Sequence, residues 1–253
     1  MSGSNFDGLL GLPLLLAVLI FCQRRLHREM QAFFLVVTRS PAAAIVLFSL
    51  IFLPGVVLHE GSHFLMAWLL RVRTGRVSLL PQPLPDGKLQ LGFVETASTD
   101  YFRDAWIGAA PLITGGLALA WIARNRLGMA PIGEHLLAGD FSTVWQGVQA
   151  LPSAPDFWIW FYLMFAISST FLPSASDRRA WLPFGLTFAL LIGAAVLAGA
   201  GNWMMVNLAP VFNRGVWALN AVFAVSLAVS VLLWLPFWLL HRIATRITGF
   251  DAA

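Results

Sequence analysis

The chain has 253 residues, of which 58% are hydrophobic and only 11% are charged. Soluble domains carry about 25% charged residues, so this composition excludes an ordinary soluble protein and predicts an all-α polytopic membrane protein embedded in a lipid bilayer. The net charge of +4 comes mostly from arginines in short loops, which suits contact with lipid headgroups and gives no case for binding nucleic acid. The single cysteine excludes an intrachain disulfide framework and a site of several thiolates.

Apolar runs predict about six transmembrane helices. Residues 9–22 are interpreted as a retained N-terminal anchor, short for a full span, and a basic amphipathic segment follows at 23–31. The next run, 41–70, contains Pro54 and Gly55, which are expected to kink or loosen its helix. Further spans are predicted at residues 105–123, 157–172, 181–198 and 216–240.

The segment 71–103 has a different character from the apolar runs around it. Residues 77–80 and 89–94 are strand-like, and a proline-rich stretch with a turn signal at Asp86 and Gly87 joins them. We therefore predict a small membrane-associated β-hairpin directly after the second apolar run.

The most specific motif is His59-Glu60-Gly61-Ser62-His63, near the end of the second apolar run. On a helix, His59 and His63 lie one turn apart on the same face and can share a zinc ion, while Glu60 is placed to act on a zinc-bound water. Three ionisable residues are costly in an apolar span. A functional role is therefore favoured over a buried polar network that only packs helices.

A zinc ion held by His59 and His63 needs at least one more protein ligand. Topology favours Asp177, because it follows a span that ends on the same side of the membrane as the hairpin. The alternative for Asp177 is a solvated carboxylate beside two arginines. Three other acidic residues lie in a loop that is expected to be solvated: Glu95, Asp100 and Asp104. Three further candidates belong to the opposite side of the membrane: Glu134, His135 and Asp140.

Three motifs resemble the site-2 protease family of intramembrane zinc metalloproteases. The first is the His-Glu-x-x-His motif in a membrane helix, and the second is Gly108-Ala109-Ala110-Pro111-Leu112, which is similar to the family's small-small-Pro-Leu pattern. The third is the segment 169–177, which looks like the family's Asn-x-x-Pro-x-Pro-x-x-Asp-Gly segment. The Asn and the Gly of that segment are missing, since Ser169 and Thr170 occur near the expected Asn and Arg178 follows Asp177.

The resemblance implies a single integral-membrane domain over 1–253. It comprises an anchor helix and basic linker (1–40), a metalloprotease-like core (41–190) and C-terminal helices (191–253). The implied activity is metal-assisted hydrolysis of membrane-anchored protein substrates, with Zn²⁺ held by His59, His63 and Asp177. Glu60 would be the general base, and Ser169 or Thr170 would contact the substrate. The competing hypothesis is a proteolytically inactive subunit that binds single-span partners in a larger complex.

The predicted strands offer a further substrate-binding element. A helical substrate hides its carbonyl groups, so cleavage requires an extended segment, which an exposed strand edge can bind by β-augmentation. Val77, Leu79, Leu91 and Phe93 are the strand residues expected to bind it.

The expected location is a bacterial cell membrane, crossed several times by the chain. Span counting places Arg178, Arg179 and the C-terminal arginines on the hairpin side. Basic residues are nearly balanced between the two sets of loops, and the positive-inside rule favours the hairpin side as cytoplasmic by a small margin. His27, His135 and His241 are interpreted as interfacial side chains.

Overall fold

The computed structural model describes residues 7–79, 81–83 and 89–250, and helices dominate these ranges. Five helical segments are long and apolar enough to cross a membrane, and a helix pair bent by 108° adds a sixth if it forms one span. The chain is thus a mainly helical protein whose number of candidate membrane spans agrees with the number that its sequence predicts. The α-helices of the described residues are α1 (Asp7–Thr38), α2 (Pro41–Leu69), α3 (Tyr101–Asn125), α4 (Ala130–Leu137), α5 (Phe141–Ala150), α6 (Phe157–Thr170), α7 (Trp181–Ala195), α8 (Gly201–Asn207) and α9 (Ala209–Thr248).

The hairpin between α2 and α3 consists of short antiparallel strands. Strand β1 (Thr74–Ser78) pairs with β4 (Phe93–Thr96), and β2 (Gln82–Pro83) pairs with β3 (Leu89–Gln90). The predicted hairpin is therefore confirmed, although its first strand begins three residues earlier than expected. Leu80 and the turn residues 84–88 lie outside the described residues.

Helix α1 is one continuous helix of 32 residues, whereas the sequence predicted a short anchor followed by a separate basic segment. Leu19, Leu26 and Met30 are fully buried on its inner face. The arginines of the basic segment, Arg24, Arg25 and Arg28, are exposed. Because the three arginines are confined to the outer face, the helix continues through this segment without burying their charges.

Helix α2 continues through Pro54 and Gly55. A Cβ atom at Gly55 would collide with the Ala166 carbonyl oxygen and the Thr170 hydroxyl of α6. The glycine thus allows α6 to approach α2 closely at the level of the metal-binding motif, as small residues do at helix interfaces in membranes.

Helices α1 and α9 run parallel. The Asn220 side chain donates a hydrogen bond of 2.8 Å to the Gly8 carbonyl, and His241 Nδ1 lies 2.7 Å from Glu29 Oε2; both pairs are 212 residues apart in sequence. The end of α9 therefore lies at the α1–α2 turn, opposite the hairpin, whereas span counting placed the C-terminal arginines on the hairpin side. His241 is packed against α1, where it pairs with Glu29.

The segment from α7 through α8, residues 181–207, contains no buried residue. A π-helical turn (Val196–Ala200) joins the two helices, and Gly199 within it has a φ of 92°, which glycine adopts without strain. We call this segment the α7–α8 arm. The predicted end of the metalloprotease-like core, residue 190, falls inside α7. The domain boundaries remain a prediction.

Candidate metal centre

Helix α2 and the loop between α6 and α7 bring His59, His63 and Asp177 together. The two histidine Nε2 atoms are 3.2 Å apart. Asp177 straddles them, with Oδ1 3.4 Å from His63 Nε2 and Oδ2 3.7 Å from His59 Nε2. The pair one turn apart on α2 and the distant aspartate thus meet in the way that the sequence predicts for a metal site.

Main-chain carbonyl groups fix the orientation of both imidazole rings. His59 Nδ1 lies 2.6 Å from the Thr170 carbonyl oxygen, and His63 Nδ1 lies 2.8 Å from that of Ile107. A carbonyl oxygen only accepts hydrogen bonds, so each Nδ1 carries the proton and donates it. A neutral ring then presents the lone pair of Nε2 to the centre, which is the arrangement of histidine ligands in metal sites.

His59, His63 and Asp177 are close enough together to share one metal ion. Ligand atoms about 2.0–2.1 Å from a zinc ion lie about 3.3–3.4 Å from one another in tetrahedral geometry. The two Nε2 atoms are 3.2 Å apart, and each lies near its own carboxylate oxygen, with 3.4 Å from His63 Nε2 to Oδ1 and 3.7 Å from His59 Nε2 to Oδ2. One ligand atom from each of the three residues lies within 4.8 Å of the other two. In the described ranges, no other cluster brings three such ligand residues together.

Asp177 is held in position by its own loop and by α3. The Ser174 backbone N–H donates to Asp177 Oδ2 over 2.7 Å. The backbone of Asp177 packs so closely on Gly108 of α3 that a Cβ atom there would overlap its carbonyl group. Two residues further on, Arg179 forms a bidentate ion pair with Asp104, with distances of 2.8 and 3.0 Å. Asp177 is therefore anchored to the helix that also supplies the Ile107 carbonyl.

Asp177 is not a solvated surface carboxylate. Its side chain is 14% exposed, and Arg178 hydrogen-bonds to the Ser174 carbonyl group while Arg179 binds Asp104. Burial alone would raise the pKa of Asp177, but the adjacent His59 and His63 rings and the hydrogen bond from Ser174 outweigh burial and hold that pKa well below its usual range.

The other acidic residues considered as ligands are engaged elsewhere. Glu95 accepts hydrogen bonds from Arg76, which hold the pKa of Glu95 below its usual range. Asp100 caps the N-terminus of α3, and Asp104 binds Arg179. On the other loop, Asp140 caps α5 and lies 3.6 Å from His135, while Glu134 belongs to α4.

Glu60 is buried beside the ligands, next to His59 in α2. The hairpin covers it, since a Cβ atom at Gly92 would come within 3.0 Å of the Glu60 side chain. His59, His63 and Asp177 line the same cavity of about 1280 Å³ as Glu60 does. An acid–base group and a metal-ligand set therefore share one large cavity.

The expected substrate-binding residues divide into two groups. Leu91, Phe93, Ser169 and Thr170 line the cavity with the metal ligands. Val77 and Leu79 are 50% and 39% exposed and are not part of its lining. Strand β4, rather than β1, is thus the strand that borders the site.

Ser169 and Thr170 have different environments. The Thr170 hydroxyl donates back to the Ala166 carbonyl at 3.0 Å, and its own carbonyl orients His59. The Ser169 hydroxyl is buried and has no hydrogen-bond partner among the described residues. Ser169 is therefore the better-placed donor for a molecule that enters the cavity.

Sequence reasoning missed two residues that shape this site. His27 lines the cavity. Its spacing of four residues from Gln23 and from Gln31 on α1 is the sequence signal that could have indicated this. Gly108 was noted only as part of a motif, and its contact with Asp177 joins parts of the chain too distant for a local pattern to predict.

Comparisons with protein-family models, with curated proteins and with solved structures find no match to this chain. The function must therefore be argued from the geometry of the centre and from the chemistry of its residues.

Proposed function

We propose that this chain is an intramembrane zinc metallopeptidase that hydrolyses peptide bonds of membrane-anchored protein substrates. The observation that carries the proposal is the convergence of His59 Nε2, His63 Nε2 and an Asp177 oxygen, with both Nδ1 atoms held by carbonyl groups. Two imidazole nitrogens and a carboxylate this close together need a shared proton or a cation between them, and one zinc ion would satisfy all three groups at once. Two imidazoles and one carboxylate form a typical ligand set for catalytic zinc, which leaves a coordination position for water.

Zinc, when bound, would lower the pKa of a coordinated water and polarise the scissile carbonyl group. Glu60 would accept the proton of the attacking water and deliver it to the leaving amine. Its burial next to His59 suits this role, because a carboxylate shielded from bulk solvent interacts more strongly with nearby charge. Ser169 would donate its free hydroxyl group to a main-chain oxygen of the substrate.

Strand β4 would bind the substrate in an extended conformation. One edge of β4 pairs with β1, and in the part of the chain that the structure describes no strand pairs with its other edge. Residues Phe93–Thr96 line the cavity together with the metal ligands. An extended peptide that added to this edge would present its carbonyl groups to the centre.

The decisive experiment measures zinc content and cleavage of a single-span test peptide by the purified protein. The parent should bind about one zinc ion per chain and cleave the peptide, and Glu60→Gln should keep the zinc but lose cleavage by at least 100-fold. His59→Ala and Asp177→Ala should lose the metal, while His135→Ala and Glu95→Gln serve as matched controls that keep it. A parent protein without zinc would overturn the proposal.

A test of the strand edge uses single proline substitutions at Val94 and Glu95. Successive N–H groups of a strand point to opposite edges, so one of the two substitutions removes a donor from the free edge. We expect that variant to lower kcat/KM by about 10-fold with its zinc content unchanged. If neither substitution affects cleavage, β-augmentation is ruled out.

The second candidate function is a non-proteolytic subunit that binds single-span partners. The absence of the family Asn, with Ser169 and Thr170 in its place, favours this alternative. A parent that holds zinc and binds the test peptide without cleaving it would support the subunit over the peptidase.

A further inference from the structure

The cavity extends from the metal centre far along the interface of α1 and α2. We call this extension the α1–α2 crevice; it is lined by His27, Gln31, Leu35, Ala44, Ile45 and Phe48. The cavity reaches Pro41, and at 1.5 Å per residue α2 advances roughly 33 Å between Pro41 and His63. That length is about the thickness of the hydrocarbon core of a bilayer. The crevice therefore follows a whole membrane crossing, whereas hydrolysis of one bond needs only its metal-containing end.

His27 is a polar group of this crevice with an unused hydrogen-bonding atom. Its ring packs on Phe48 and Phe52, with centroid distances of 5.5 and 5.0 Å. Its Nε2 atom is buried and has no hydrogen-bond partner among the described residues. A buried polar atom of this kind is costly in an apolar environment, so a group that reaches it gains a hydrogen bond that water does not compete for.

The polar residues of α1 connect this atom with the metal centre. Gln23, His27 and Gln31 follow one another at intervals of four residues and so lie on one face of the helix. The Gln23 side chain donates to the Ser168 carbonyl over 2.6 Å, which fixes α1 beside Ser169. Two buried polar atoms without a partner, Ser169 Oγ and His27 Nε2, thus belong to residues that line one cavity.

We propose that the α1–α2 crevice binds the membrane-embedded segment of the substrate, and that His27 Nε2 hydrogen-bonds to the main chain of this segment where it leaves its helix. Unwound main chain inside a membrane needs hydrogen-bond partners from protein, because lipid offers none. Leu35, Ile45 and Phe48 would contact its apolar side chains. The inference rests on the proposed peptidase and locates the binding site for the membrane-spanning segment of its substrate.

The first test measures binding without catalysis, in a Glu60→Gln, Cys22→Ala background. The probe is a set of synthetic single-span peptides with two central glycines and one cysteine at successive positions. Ile45→Cys places a thiol in the crevice, and its neighbour Val46→Cys, which is 51% exposed on α2, is the matched control. After mild oxidation we expect at least fivefold more disulfide-linked peptide with Ile45→Cys than with Val46→Cys. An excess of cysteine-free peptide should abolish the crosslink at position 45.

The second test separates substrate binding from turnover. Leucine at position 27 still packs on Phe48 and Phe52 but cannot hydrogen-bond, so His27→Leu should raise KM for the single-span peptide about fivefold and change kcat by less than a factor of about two. His27→Gln keeps a donor and an acceptor and should restore most of the affinity. Arg28→Leu, on the exposed face of α1, is the control variant.

The two tests fail in different ways. If the parent cleaves no peptide, the peptidase proposal fails, and selective crosslinking at position 45 still supports the crevice as a binding site. If the parent cleaves the peptide while positions 45 and 46 crosslink equally and His27→Leu leaves KM unchanged, the crevice is filled by lipid. That result overturns the inference and leaves the peptidase intact.

Discussion

Glycines have different tasks in two regions of this molecule. Around the metal centre, a Cβ atom at Gly55, Gly108 or Gly115 would collide with the helix or loop packed against it. In the α7–α8 arm, Gly185 and Gly193 have no neighbouring group within 4 Å. Both regions are apolar and rich in small residues, so their composition does not reveal this difference.

The difference shows what the close contacts achieve. The centre joins segments as far apart in sequence as His59 and Thr170, whose hydrogen bond spans 111 residues. Helices can supply ligands and carbonyl acceptors at hydrogen-bond distance only if their backbones come close, and glycine permits that approach. Small residues near the centre therefore set ligand positions, whereas those of the arm do not. Substitutions of matched glycines in the two regions test this contrast.

The largest effect is expected for Gly108→Ala. The added methyl group would overlap the Asp177 carbonyl group and push the third ligand away from His59 and His63. Loss of the groups that hold a metal ligand in position typically weakens metal binding about 10- to 100-fold. We expect zinc affinity to fall by a factor within this range in a chelator competition titration. Gly116→Ala on the same helix, where no group lies within 4 Å, is the control. Equal zinc affinities of the two variants would contradict this account of Asp177.

A somewhat smaller effect is expected for Gly55→Ala, which separates α2 from α6. Overpacking of this kind costs about 1–3 kcal/mol, and it should lower the unfolding temperature in detergent. It should also weaken zinc binding, because the Thr170 carbonyl would move away from His59 Nδ1. The control is Gly61→Ala, on an open face of the same helix. An unchanged unfolding temperature for Gly55→Ala would mean that the two helices separate without cost.

Two ion pairs, one beside the metal centre and one exposed, should show the same difference with a smaller effect on zinc binding. Arg179 holds the Asp177 loop to Asp104, whose side chain is 16% exposed, so we expect Arg179→Gln to weaken zinc binding about three- to fivefold. Arg76→Gln cuts the pair with Glu95, where both side chains are exposed, and should have no measurable effect. The exchange of Asp104→Arg with Arg179→Asp should recover part of the loss. If it recovers nothing, the ion pair does not position the loop.

Local spacing and topology made much of the centre predictable. The His59, Glu60 and His63 pattern needs only one helical turn, and Asp177 follows from the side on which its span ends. The partners of the histidine rings were not predictable, because the Thr170 and Ile107 carbonyls are main-chain groups without a sequence signature. The contact of Gly108 with Asp177 likewise depends on distances between elements that are remote in the chain.

The fold was predictable to the level of its helices but not of their arrangement. Apolar runs give the number of candidate spans, whereas the parallel packing of α1 and α9 depends on specific pairs such as Asn220 with Gly8. Span counting assumes that each apolar run crosses the membrane once. The α7–α8 arm breaks that assumption, since α6 ends and α9 begins at the same end of the bundle.

The smallest effect is expected for Gly193→Ala in the arm. Alanine has the higher helix propensity by about 1 kcal/mol in aqueous hosts, and no neighbouring group meets the added methyl group. Zinc affinity and cleavage should therefore be unchanged, with an unfolding temperature equal to that of the parent or slightly higher. Size-exclusion chromatography of the same sample measures whether the substitution changes the assembled size of the protein. If Gly193→Ala destabilises the protein or reduces its assembled size, position 193 packs against a second chain, and the small residues of the arm are close-packing residues of an intermolecular interface.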